Sequence, residues 1–126
     1  MSSRFVILHH RFDDGEHWDL MLEQGEVLFT WQLLCDPTDP ANYPIPGRRI
    51  GKHRKFYLTY EGPLTRSRGT VRRVDSGSLE ITEDTARGLR IVLTGMRLHG
   101  SFSILNVGDE WVFDVSDAGS PKAGVP

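Results

Sequence analysis

Apolar and polar residues alternate along most of the chain, or gather in short apolar runs. That period of two, unlike the 3.6 of a helix, predicts strands over 4–9, 17–23, 26–34, 55–60, 69–74, 78–83, 89–94, 96–106 and 110–115. Turn-forming residues separate the runs: Asp14-Gly15, Gln24-Gly25, Glu61-Gly62-Pro63, Ser76-Gly77 and Gly108-Asp109. Only 82–87 has helical character, and it is too short to matter. Strand after strand with regular turns predicts an all-β fold: a single antiparallel β-barrel of about eight or nine short strands. Residues 36–46 hold four of the seven prolines and show no periodicity, so one long Pro-rich loop is expected there. A single domain is expected over 1–116, followed by a flexible C-terminal tail over 117–126.

Composition narrows the class. The 126 residues are 38% hydrophobic and 25% charged, enough for one packed core and too apolar for a wholly disordered chain. No apolar run is long enough to span a membrane, and the first ten residues lack a secretory leader pattern. A lone cysteine, Cys35, excludes an internal disulfide framework and any multi-cysteine metal site. A cytoplasmic location follows as the expectation. The net charge of −2 conceals an asymmetry: residues 48–73 carry nine basic side chains and one acid, Glu61, while the remainder is strongly acidic. A local positive field suits a phosphate-bearing partner, although a solvated charged face would give the same count.

Two segments could carry chemistry. In His17-Trp18-Asp19-Leu20-Met21-Leu22-Glu23, strand alternation sends Trp18, Leu20 and Leu22 to the core and His17, Asp19, Met21 and Glu23 to the other face. An imidazole and a carboxylate two residues apart can share a cation such as Mn²⁺, Fe²⁺ or Zn²⁺. The turn over 11–16 would bring His9 or His10 beside them as a third ligand; a solvated His-x-Asp face is the alternative. The second segment is His53-Arg54-Lys55-Phe56-Tyr57-Leu58-Thr59-Tyr60-Glu61-Gly62. As a strand it would put His53 and Tyr57 on one face and Phe56, Leu58 and Tyr60 on the other. With Arg48 and Arg49 nearby, these donors suit phosphate oxygens, or else form a basic edge strand. No phosphate-binding glycine loop is present, Ser101 and Ser103 near His99 lack a nucleophile elbow, and Cys35 lies in the proline loop rather than a catalytic setting.

Together these segments resemble the 3′-phosphoesterase domain of bacterial DNA ligase D. The similarity runs through Phe5-Val6-Ile7-Leu8 leading to His10, the His17–Glu23 motif, Thr30-Trp31, the set His53, Tyr57, Tyr60, Glu61 and Gly62, and Leu98-His99-Gly100-Ser101-Phe102-Ser103-Ile104. It covers nearly the whole chain, to about Val115. The resemblance implies a metal-dependent phosphoesterase, typically with manganese, with Zn²⁺ or another divalent ion as alternatives. Such an enzyme trims 3′-phosphates and 3′-terminal ribonucleotides from a DNA or DNA/RNA primer strand in DNA repair. It further implies metal ligands at His10, His17 and Asp19, with His9 as the alternative to His10. His53 and Tyr57 would contact the scissile phosphate, with Arg49, Arg48 and Arg54 assisting. A monomer is expected, with no membrane association, meeting nucleic-acid 3′ ends and other repair proteins.

Three departures from the family pattern bear on activity. The turn between His10 and His17 is one residue longer, the family arginine two places beyond the metal aspartate is Met21, and a family lysine falls near Cys35. Arg54 or Arg68 could replace the missing cation in space. The competing expectation is a non-catalytic module that binds nucleic-acid ends or phosphates. A small cupin-type metal barrel fits less well, because its second histidine would stand at Asp19 and the basic segment would have no role.

Overall fold

The computed structural model describes residues 3–116; the expected tail lies outside them. Nine strands form, in chain order β1 (Ser3–Phe12), β2 (Gly15–Gln24), β3 (Val27–Leu33), β4 (Ile45–Arg54), β5 (Gly62–Pro63), β6 (Thr70–Thr85), β7 (Gly88–Gly95), β8 (His99–Val107) and β9 (Glu110–Val115). All pairings are antiparallel. Their order, β1-β2-β3-β4-β9-β8-β7-β6, closes on itself through β1 and β6 into a ring of eight, with β5 appended to β6. Closure leaves those eight strands with partners on both sides, which removes the open edges that promote aggregation. No α-helix occurs among the described residues, and no helix is long and apolar enough to cross a membrane.

Alternation places the larger core inside the ring. Phe5, Ile7, Leu20, Leu22, Trp31, Leu33, Ile91, Phe102, Ile104 and Phe113 pack there, sealed at one side by Tyr43 from the proline-rich connection. Trp18 points inward as expected but is only half-buried, because it lies at the end of the ring stacked on His9.

A second, smaller core lies on the outer face. Val6, Leu8, Met21, Leu28, Leu58 and Val71 form it, with Tyr57, Tyr60 and Leu64 at its edges. The apolar run Phe5-Val6-Ile7-Leu8 is therefore buried on both faces. The face of β2 expected to be free is covered too, and Asp19, Met21 and Glu23 are all buried.

The cover is the segment 55–69, and here the structure corrects the expected strand over 55–60. Lys55–Leu58 is a 3₁₀ turn. Tertiary anchors override the aromatic strand propensity: Leu58 plugs into the outer core, and Lys55 Nζ lies 3.1 Å from Glu23 Oε2. The proline-rich stretch is also shorter than expected. It contains a single 3₁₀ turn, Pro40–Asn42, and ends where β4 begins at Ile45. The pair Ser76-Gly77 is no turn. It lies inside β6, where that strand passes from pairing with β1 to pairing with β7. A Cβ on Gly77 would sit 2.0 Å from the Thr94 carbonyl oxygen, so only glycine lets the strands approach so closely there.

Two buried carboxylates brace this frame. Asp75 accepts hydrogen bonds from the backbone N–H groups of Ser76, Met96, Arg97 and Leu98 at 2.7–3.1 Å, fixing the β7–β8 turn. Glu23 accepts from the Arg4 amide at 2.8 Å and from its guanidinium at 3.2 Å. The bonds from the Arg4 side chain lead in holding the Glu23 carboxyl down at about 2, below its ordinary 4.5, and Lys55 adds to the effect against the opposing cost of burial. A carboxylate depressed on folding contributes stability above its unfolded value and loses it as pH falls toward the folded value. The stability gap between wild type and Glu23→Gln, measured by urea denaturation, is therefore expected to be widest near neutral pH and to close as pH drops from about 5 to about 2. A gap independent of pH would contradict the ion pair.

Candidate functional site

The outer face of β1–β4 and the covering segment enclose a cleft of about 220 Å³. Its geometry begins with the β1–β2 hairpin. A two-residue turn at Asp13-Asp14 sets a register that pairs His10 with His17 and Leu8 with Asp19. His10, His17 and Asp19 thereby share one face, and their ligating atoms lie within 4.8 Å of one another. His17 Nδ1–H donates to Asp19 Oδ1 at 2.8 Å, and His10 Nδ1 stands 3.8 Å from Asp19 Oδ2. The other His10 nitrogen, Nε2–H, donates to the Arg68 carbonyl at 2.7 Å. That bond fixes the tautomer and leaves the Nδ1 lone pair facing the carboxylate, the orientation a metal-ligating histidine needs.

His9 is not part of this group. It faces the opposite way, stacked on Trp18 at 4.5 Å, with Nε2–H donating to Glu16 Oε1 at 2.7 Å. Adjacent strand residues point to opposite faces, so the hairpin register sets His9 apart from His10, His17 and Asp19.

His53 and Tyr57 meet on the other bank of the cleft. They do so from β4 and the 3₁₀ turn rather than from one strand, with ring centroids 5.7 Å apart. Thr30, fully buried on β3, holds His53. Its hydroxyl donates to the Leu28 carbonyl at 3.4 Å and accepts from His53 Nδ1–H at 2.9 Å, which leaves Nε2 as the free nitrogen. Thr30 belongs to the Thr30-Trp31 pair, and no local signal marks its role, because its partner is 23 residues away.

The arginines divide differently from expectation. Arg49 turns to the inner side of β4, where its guanidinium lies over Phe29 and Trp31 at 5.2 and 5.3 Å from the ring centroids. Arg48 points to the cleft side and donates from Nε to Gln32 Oε1 at 3.0 Å, and Gln32 lines the cleft. Arg54 lies over Phe56 rather than in the cleft. Arg68 does line it, while its guanidinium bonds the Thr65 carbonyl and hydroxyl. Met21 belongs to the cleft floor and the outer core, so no cation stands at that position. The approach of Arg68 to His10 depends on Gly69, whose φ is +95° and whose added Cβ would lie 2.1 Å from the Arg11 carbonyl oxygen.

Two imidazoles and a carboxylate face an imidazole and a phenol across a cleft lined by one arginine, Arg68, a donor set with the chemistry of a phosphate-ester site. A family model for the DNA ligase D 3′-phosphoesterase domain matches residues 8–106, and the chain belongs to that family. The match includes the histidine–aspartate group, Met21, and the His53–Gly62 motif. None of the curated proteins compared with the chain matches it. The chain thus carries a 3′-phosphoesterase-like domain of the kind associated with DNA repair and with nucleic-acid ends.

Proposed function

We propose that this domain is a metal-dependent 3′-phosphoesterase. It would remove 3′-phosphates or 3′-terminal ribonucleotides from nucleic-acid ends and leave a 3′-hydroxyl. One observation carries the reading: a convergent His10–His17–Asp19 group on one bank of a cleft, with His53 and Tyr57 on the other. The first group fits a divalent cation, Mn²⁺ by family expectation and Zn²⁺ by donor chemistry. It offers two nitrogen donors and a carboxylate, and His10 is already held by its second nitrogen. When bound, such an ion neutralises charge on phosphate oxygens and lowers the pKa of coordinated water.

The chain's own residues do the rest. His53, tied through Nδ1–H to Thr30, presents Nε2 to the ester; as the imidazolium, protonated on both nitrogens, it would pass the Nε2 proton to the departing oxygen and return to its neutral form. Tyr57 donates its phenolic proton to a non-bridging oxygen. Arg48 and Arg68 supply the positive field that Met21 does not. Leu8, Ile50, Leu64 and Val71 wall the cleft and limit its water, which strengthens these contacts.

The decisive assay incubates purified protein with a 3′-phosphorylated primer and Mn²⁺. Phosphate release is expected from wild type, and His53→Ala is expected to lower it by roughly 10²–10⁴-fold. Met21 favours a second reading, a module that binds ends without cleaving them. Binding with no release at any metal concentration would establish that reading and end the first.

A further inference from the structure

Phenylalanine is buried or half-buried at every described position but two. The exceptions, Phe12 (38% exposed) and Phe56 (51%), are the only exposed Phe, Tyr or Trp residues among the described ones; neither lines the cleft, but each touches a residue that does, His10 and Tyr57. Phe12 touches the rings of His10 and His17, each with centroids 5.3 Å away. Phe56 meets Tyr57 edge-on at 5.2 Å and lies against Tyr60 at 4.7 Å with only 28° between planes.

The Phe56 side is built rigidly. Its 3₁₀ turn is pinned by Leu58 in the outer core and by Lys55 on Glu23. Tyr60 is fixed by donating its hydroxyl to the Pro63 carbonyl. Local charge separates the two banks. Arg54 lies over the Phe56 ring, whereas Phe12 is followed by Asp13 and Asp14. A polyanionic strand is drawn toward the first bank and repelled from the second.

We infer that Phe56, backed by Tyr60, is a stacking platform for the unpaired base next to the phosphate held in the cleft, with the Arg54 guanidinium moving from over the ring to the strand's backbone phosphate, so that the bound strand leaves across this bank. The ligand class is a nucleobase of single-stranded or frayed nucleic acid, recognised by its π-face and not by its edge; stacking of this kind tolerates any sequence. The inference rests on the function proposed above but goes further, since hydrolysis of the phosphate requires no base contact.

The test is a two-by-two comparison. One oligonucleotide carries a 3′-phosphate on an ordinary terminal adenosine; the other is identical but abasic at that nucleotide. Binding is measured by fluorescence anisotropy and phosphate release is followed on the same samples. Wild type is expected to bind the abasic strand roughly tenfold more weakly. Phe56→Ala, at an exposed position that leaves the fold intact, is expected to bind both strands equally, at the weaker affinity. Phe56→Trp is expected to restore the difference, and Phe12→Ala to preserve it whatever happens to the rate. Equal binding of both strands by wild type, or a tenfold difference that survives in Phe56→Ala, would overturn the platform while leaving phosphate release as evidence for the enzyme. Absence of binding to either strand would overturn both.

Discussion

Replacing Asp19 with asparagine is expected to abolish divalent-metal uptake and, with it, release of 3′ phosphate, while the fold persists. Asp19 is 5% exposed and held between two imidazoles, with Oδ1 accepting from His17 and Oδ2 facing His10. Asparagine preserves the volume and can still accept the His17 hydrogen bond, so the packing cost is small. It removes the one negative charge in the group and replaces a strong oxygen ligand with a weak amide, and two neutral imidazoles alone hold Mn²⁺ poorly. Isothermal titration should show one ion per wild-type chain and none for Asp19→Asn. Thermal melts supply an independent readout, because a ligand at about 100 times its Kd adds roughly 2.7 kcal/mol to stability. Manganese should raise the wild-type melting temperature and leave that of Asp19→Asn unchanged. Uptake equal in the two proteins would remove Asp19 from the metal site.

Asp75→Ala is expected to do the reverse, destabilising the fold without touching the cleft. Its carboxylate receives four backbone N–H groups, among them the buried amide of Leu98. Hydrogen bonds to an ionised acceptor are worth about 1.5–3 kcal/mol each, and a buried donor stripped of its acceptor bears the full cost of desolvation. The four bonds are not additive, but a loss of about 3 kcal/mol or more is expected, enough to lower Tm by roughly 10 °C in a domain of this size. Asparagine does not rescue the turn, because its NH₂ group would face N–H donors. Differential scanning calorimetry of both variants checks this; a melt within a degree or two of wild type would mean the turn holds itself.

How much of this was legible in the chain depends on the range of the contact. The strand period and the spacing of His17 and Asp19 were legible because both are local consequences of a two-residue repeat. The choice between His9 and His10 hung on one detail, the two-residue turn at Asp13-Asp14, which fixes which histidine opposes His17. The placement of the arginines was not legible for a related reason. β4 begins at Ile45, inside the stretch expected as a Pro-rich loop, and its continuation over 47–54 is basic and lacks apolar alternation, so the outward Arg48 and inward Arg49 could not be counted. The strand expected over 55–60 gave way to two long-range anchors, Glu23 on Lys55 and the outer core on Leu58, neither of which leaves a local signature. Arg68, 58 residues from the histidine it orients, and Thr30 behind His53 are visible only once the chain has folded.

The presence of two separate cores has an evolutionary and practical consequence. Structural load and chemical specificity are carried on opposite surfaces of the same few ribbons. Substitutions at Leu93 and Phe113, inside the ring, are expected to change stability without altering the outer cleft. The covering segment lies outside that interior, so its exposed positions can vary where Leu58, Lys55 and Tyr57, which anchor it or line the cleft, cannot.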